Sequence, residues 1–94
     1  MTRQQKGADP MTLRFHQDVS TAETGYGTVL LDQRTGEYWE LNPTGALVVR
    51  TLMDDGDETA AVTALVTRFD IDRDRAAQDV TALVRDLRDA GLVS

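Results

Sequence analysis

Carboxylates are the side chains this sequence offers most readily for chemistry, and they cluster twice. Asp70-Ile71-Asp72-Arg73-Asp74 has the 1, 3, 5 acid spacing that opens an EF-hand calcium loop. Calcium in such a loop also needs glycine at position 6 and a bidentate glutamate at position 12, and these places hold Arg75 and Thr81. The run therefore reads as helix capping, with acids set where a helix N-terminus favours negative charge. Asp54-Asp55-Gly56-Asp57-Glu58 reads as a solvated turn between helices. His16 is the sole histidine, and no serine or carboxylate constellation can be paired with it, so it reads as a surface residue and not as part of a triad. Cysteine is absent, which removes thiolate nucleophiles, thiolate metal sites and disulfides together. Gly25-Tyr26-Gly27 precedes a strand instead of following one, so it makes no phosphate loop, and no zincin motif is present. The expectation is a protein that is not an enzyme and holds no metal or cofactor.

Recognition remains, and charge narrows the partner. The 94 residues carry a formal charge of −6, and beyond residues 1–10 the balance is 8 basic to 15 acidic side chains. Such a surface is a poor match for a phosphate backbone. No run approaches the ~18 apolar residues of a membrane span, and the N-terminus lacks the apolar stretch of a signal peptide. The expected setting is cytoplasmic, with neither nucleic acid nor membrane as partner. Residues 1–10 are polar, contain Gly7 and Pro10, and read as a disordered tail or a leftover of cloning. Residues 11–94 form the single domain that a chain of this length allows.

The elements that position any binding side chain pivot on Gly36 to Leu47. Glu37-Tyr38-Trp39-Glu40-Leu41 alternates as a short strand. Asn42 then offers an acceptor to the free N–H groups of a helical turn, and Pro43 stands where its missing N–H costs nothing. Upstream, Met11-Thr12-Leu13-Arg14-Phe15 has the period-2 pattern of a first strand, Gln17 to Gly27 reads as a polar loop, and Thr28 to Asp32 is a second strand. Gln33-Arg34-Thr35-Gly36 joins the second and third strands as a hairpin. Downstream, Leu47, Val48 and Leu52 mark a first helix that Gly56 ends. Val62, Leu65, Val66 and Phe69 form the core-facing stripe of a second, opening near Thr59. Asp72 is placed to cap a third, whose apolar face is Ala76, Val80, Leu83, Val84 and Leu87, with Gly91 as its αL terminator. Tyr38 and Trp39 are adjacent on a strand and so point to opposite faces. One joins the core, and the other either shields the sheet or marks a binding surface.

This order, with Val29-Leu30-Leu31-Asp32, a turn ending in Gly36, Tyr38-Trp39-Glu40-Leu41-Asn42, Gly45-Ala46, Leu52 and a closing Ala90-Gly91-Leu92-Val93, resembles the PqqD-like family. These are recognition elements for ribosomally synthesised, post-translationally modified peptides (RiPPs). The resemblance is nearest to the stand-alone leader-binding members of lasso peptide biosynthesis and covers residues 12–94. It implies a winged-helix-like α+β fold, a small three-stranded antiparallel sheet packed on a three-helix bundle. It also implies a non-catalytic protein that binds the leader segment of a precursor peptide by strand addition. That protein presents the leader to a leader peptidase, a transglutaminase-like cysteine protease, and to other maturation enzymes. The implied peptide site is Leu31, Glu37, Tyr38, Trp39, Glu40 and Leu41 on the strands with Ala76, Asp79, Val80, Leu83, Val84 and Leu87 on the third helix. Glu40 departs from the pattern by placing a charge where many relatives carry a smaller or neutral residue.

Physics independently leaves the last strand of a three-stranded meander with only one side paired, an edge that is either a liability or a docking site. Main-chain hydrogen bonds of roughly 0.5–1.5 kcal/mol each would hold an added strand without reading its side chains, so specificity requires side-chain pockets on the third helix. The rival reading is a winged-helix DNA-binding regulator. Its third helix should lean basic, yet Arg73, Arg75, Arg85 and Arg88 are balanced by Asp74, Asp79, Asp86 and Asp89.

Overall fold

The computed structural model describes residues 13–93. Strands β1 (Val19–Thr24), β2 (Gly27–Asp32) and β3 (Glu37–Leu41) precede helices α1 (Pro43–Met53), α2 (Glu58–Phe69) and α3 (Arg73–Asp89). The strands form one antiparallel meander in the order β1-β2-β3. Helix α1 packs on β2, β3 and α2, and α2 packs on α3. This is the α+β class expected, with the sheet on a three-helix bundle.

The pivot forms as its residue types dictate. Asn42 alone separates β3 from α1, and its Oδ1 accepts hydrogen bonds from the Gly45 N–H at 2.8 Å and the Thr44 hydroxyl at 3.1 Å. A Cβ on residue 45 would stand 2.9 Å from that oxygen, so glycine lets the cap close. Asn42→Ala should lower stability by about 1 kcal/mol, seen as a lower urea midpoint at unchanged slope. Helix α2 begins at Glu58, one residue before the expected Thr59, because Asp57 is its cap and accepts from the Ala60 N–H at 2.8 Å. Asp72 occupies the cap position of α3 but makes no side-chain capping bond.

Strand pleat sorts the sheet into two faces. Leu30 opposes Trp39, Thr28 opposes Leu41 and Val19 opposes Asp32 on the side covered by the helices. Leu31 opposes Tyr38 and Val29 opposes Glu40 on the outer side. Trp39 is therefore the aromatic packed on the core, and Tyr38 is 64% exposed. The core itself joins Val19 and Leu30 to Val48, Val49 and Leu52 of α1, Ala61, Val62 and Leu65 of α2, and Ala76, Val80, Val84 and Leu87 of α3.

Two expectations are corrected. The first strand is not Met11 to Phe15: Met11 and Thr12, like residues 1–10, lie outside the described residues. Leu13 packs in the core, and Phe15 makes only an isolated bridge to Val93, next to a 3.1 Å bond from the His16 N–H to the Leu92 carbonyl. The first strand is Val19–Thr24, within the stretch read as loop. It is an edge strand whose side chains are mostly solvated, so no apolar period marks it, and ladder bonds to β2 hold it instead. Phe69 is the other: it ends α2 39% exposed, beyond the covered part of its stripe.

The C-terminal segment is locked to the sheet by a charge. Gly91 (φ +77°) ends α3, with the Leu92 N–H on the Leu87 carbonyl and the Gly91 N–H on the Arg88 carbonyl, a Schellman closure. Buried Asp32 accepts from Arg34 Nε and Nη2, both at 3.0 Å, and from the Arg34 backbone N–H at 2.9 Å, while Arg34 Nη2 also donates to the Gly91 carbonyl at 2.9 Å. The Arg34 hydrogen bonds hold the Asp32 carboxyl below its ordinary value of 3.8, against the opposing effect of burial. A depressed carboxylate adds stability above its unfolded pKa and loses it as pH falls through the folded value. Acid melts below about pH 4 should therefore lose this contribution in the native protein, whereas Asp32→Asn should melt several degrees lower at pH 7 and show a shallower acid limb.

Candidate functional site

Among the described residues β3 pairs with β2 alone, so the N–H and C=O groups of its other edge are open. Alternation along that edge presents Trp39 and Leu41 on the core side and Tyr38 and Glu40 on the outer side, with Leu31 beside Tyr38.

Where β3 ends, a groove of about 630 Å³ opens between the first turns of α1 and one stripe of α3. Asn42, Thr44 and Gly45 form the α1 wall, with Val48, Leu65, Ile71 and Leu83 giving it apolar depth. Arg75, Asp79, Ala82 and Asp86 complete the α3 wall, and Arg75 Nε lies 3.8 Å from Asp79 Oδ1. Residues 75, 79, 82, 83 and 86 follow the helical period and share a face. The neighbouring stripe, Ala76, Val80, Val84 and Leu87, points into the core and is at most 4% exposed. Of the expected helix residues, Asp79 and Leu83 line the groove, while Ala76, Val80, Val84 and Leu87 are buried in the core cluster, where α3 packs on α2. The site implied by the resemblance draws on both stripes, of which the apolar one is the more conspicuous in sequence. The groove also takes in Arg75, Ala82, Asp86, Ile71 and the α1 residues, and the α3 members among them stand one step from the apolar stripe, a spacing that could have marked them.

Chemically, the arrangement is suited to binding an extended segment. An open strand edge supplies directional hydrogen bonds, and the groove accepts apolar side chains between polar and charged walls. The clustered acids have structural posts: Asp57 caps α2, Asp70 ends it in the left-handed conformation at φ +54°, and Asp72 precedes α3. On α3 the basic and acidic residues remain interleaved, with Asp79 and Asp86 facing the groove beside Arg75, so the groove wall is no basic recognition surface. No helix among the described residues is long and apolar enough to cross a membrane.

These features define a class of small α+β domain with a sheet edge and a helix-walled groove left open side by side. The chain belongs to the PqqD family: the family model for coenzyme PQQ synthesis protein D matches residues 27–93. Among solved structures it is similar to a lasso peptide synthetase B1 complexed with the leader peptide, at 39% identity over 87% of this chain and 96% of that one, with a TM-score of 0.78. It also has the fold of TbiB1 in complex with the TbiA(β) leader peptide, at 23% identity over 86% and 94% of the two chains and a TM-score of 0.77. No curated protein matches it.

Proposed function

We propose that this protein binds the leader segment of a ribosomal precursor, of the lasso peptide class, by adding it as a strand to β3. The observation that carries the reading is the open β3 edge leading to the α1/α3 groove, in a chain 39% identical to a protein captured with a leader peptide. Strand bonds supply affinity, and one or two apolar leader side chains buried against Leu83, Ile71 and Val48 supply selectivity at about 1.5–3 kcal/mol each. Leu31, Tyr38 and Glu40 would flank the added strand on the outer face, with Glu37, Trp39 and Leu41 on the inner. The protein performs no chemistry itself and presents the leader to a transglutaminase-like leader peptidase. Its cellular place is then the cytoplasm, where precursor and peptidase meet.

Titration of the full chain with its cognate leader, followed by fluorescence anisotropy and amide shifts, tests this. Micromolar or tighter binding with shifts on β3 and α3 is expected, and the leader stays intact by mass spectrometry when mixed with this protein alone. Shifts confined to α2, or a retarded band with random duplex at low salt in place of leader binding, would overturn it.

A further inference from the structure

The first turns of α1 separate two grooves. Thr44, Gly45 and Val48 face the one described above, while Pro43, Ala46, Leu47 and Arg50 face a second, of about 500 Å³. The second lies between the tip of the β1–β2 hairpin and the end of α2, and Leu41 contributes to its apolar lining.

Two of its residues are aromatics left in water. Tyr26 at the hairpin tip is fully exposed, and Phe69 at the end of α2 is 39% exposed. The tip is braced: Thr24 Oγ1 donates to the Gly27 carbonyl at 2.9 Å and accepts from the Tyr26 N–H at 3.0 Å. The backbone under the ring is thus set before any partner arrives. Arg50 and Arg68 flank the groove, and among the described residues no carboxylate lines it, in a chain of net charge −6. Arg50 reaches out to Glu23 at 3.3 Å through an ion pair exposed on both sides, which a better acid can replace. Exposed aromatics with arginine are the composition of a protein–protein hot spot, and here the charge selects an acidic partner.

We propose that this second groove docks an acidic segment bearing an apolar side chain, supplied by a separate protein. On the reading above, that protein is the peptidase to which the leader is presented. Apolar atoms of the segment seat between Tyr26, Phe69 and Leu47, and its carboxylates meet Arg50 and Arg68. The two grooves share Asn42, so a partner seated in the second stands one helical turn from the leader in the first.

The test uses Tyr26→Ser and Arg68→Glu, both at exposed positions outside the leader site, in the full chain with the cognate leader and the transglutaminase-like peptidase of the same biosynthetic cluster. Leader affinity by anisotropy should stay within about twofold of the native protein, as for independent sites. Leader removal by the peptidase should slow about tenfold or more for each variant, as for the loss of a hot-spot residue. In the native protein it should weaken with added salt. Normal leader binding with an unchanged cleavage rate would overturn the second groove and leave the first standing. Self-association in sedimentation that the variants abolish, with cleavage unaffected, would assign the groove to a second copy and likewise overturn the proposal. Failure of the native protein to bind leader would overturn both readings.

Discussion

Val84→Asp is expected to abolish the folded state, while Leu83→Asp, one residue away, should leave the fold intact and weaken leader binding. Val84 is 2% exposed, between α3 and the core, with only apolar side chains in its cluster. An unpaired carboxylate there costs about 3–5 kcal/mol, and the loss of packed methyl groups adds to that, against a total stability of roughly 5–15 kcal/mol for a domain of this kind. Leu83 is half-buried and lines the open groove, where a carboxylate can remain hydrated in the free protein. On binding it would face an apolar leader side chain and lose its water, so affinity should fall about tenfold or more. Amide dispersion in NMR separates the two outcomes: collapse for Val84→Asp, and a native spectrum with weakened titration for Leu83→Asp. Dispersed spectra for both variants would show that the two stripes of α3 are misassigned.

Trp39→Ala should cost about 3 kcal/mol of stability, whereas Tyr38→Ala should melt close to the native protein and act on leader binding instead. The contrast follows from strand register. Trp39 opposes Leu30, which is fully buried, and packs on the core, while Tyr38 opposes Leu31 on the uncovered side of the sheet and is 64% exposed. Removal of the Trp39 ring leaves a void between β3 and the helices that neighbouring backbone cannot fill. Removal of Tyr38 only shortens the wall beside which an added strand would lie. Thermal melts and leader titrations on both variants check the pair, and equal losses of stability would refute the face assignment.

Much of the architecture is written locally. The Asn42-Pro43 start of α1, the β2–β3 hairpin over Gln33 to Gly36, the three helices in order and the Gly91 stop are each specified by residues within a turn of where they act, so residue types and spacing suffice to place them. For β1 they do not. Its Val-Ser-Thr-Ala-Glu-Thr run has no apolar period, because an edge strand with little cover needs none, and its ladder partner on β2 begins only after the hairpin tip. Leu13 and Phe15 mislead for the opposite reason: their alternation is real, but it serves to lay an extended segment on the core and against Val93, not to join the sheet.

For the site, the sequence by itself marked an acidic, cysteine-free domain whose third strand ends a hairpin and keeps one side unpaired. Its local patterns also settled the helical period of α3 and the opposition of Tyr38 and Trp39. Only the tertiary structure decided which member of each set is spent on packing. Pleat and helical period state which side chains share a face, but not which face the rest of the chain covers. That is settled where α1 and α2 come to rest, on the Trp39 side of the sheet and on the Val80-Val84 stripe of α3, leaving Tyr38, Asp79 and Leu83 outside the filled core.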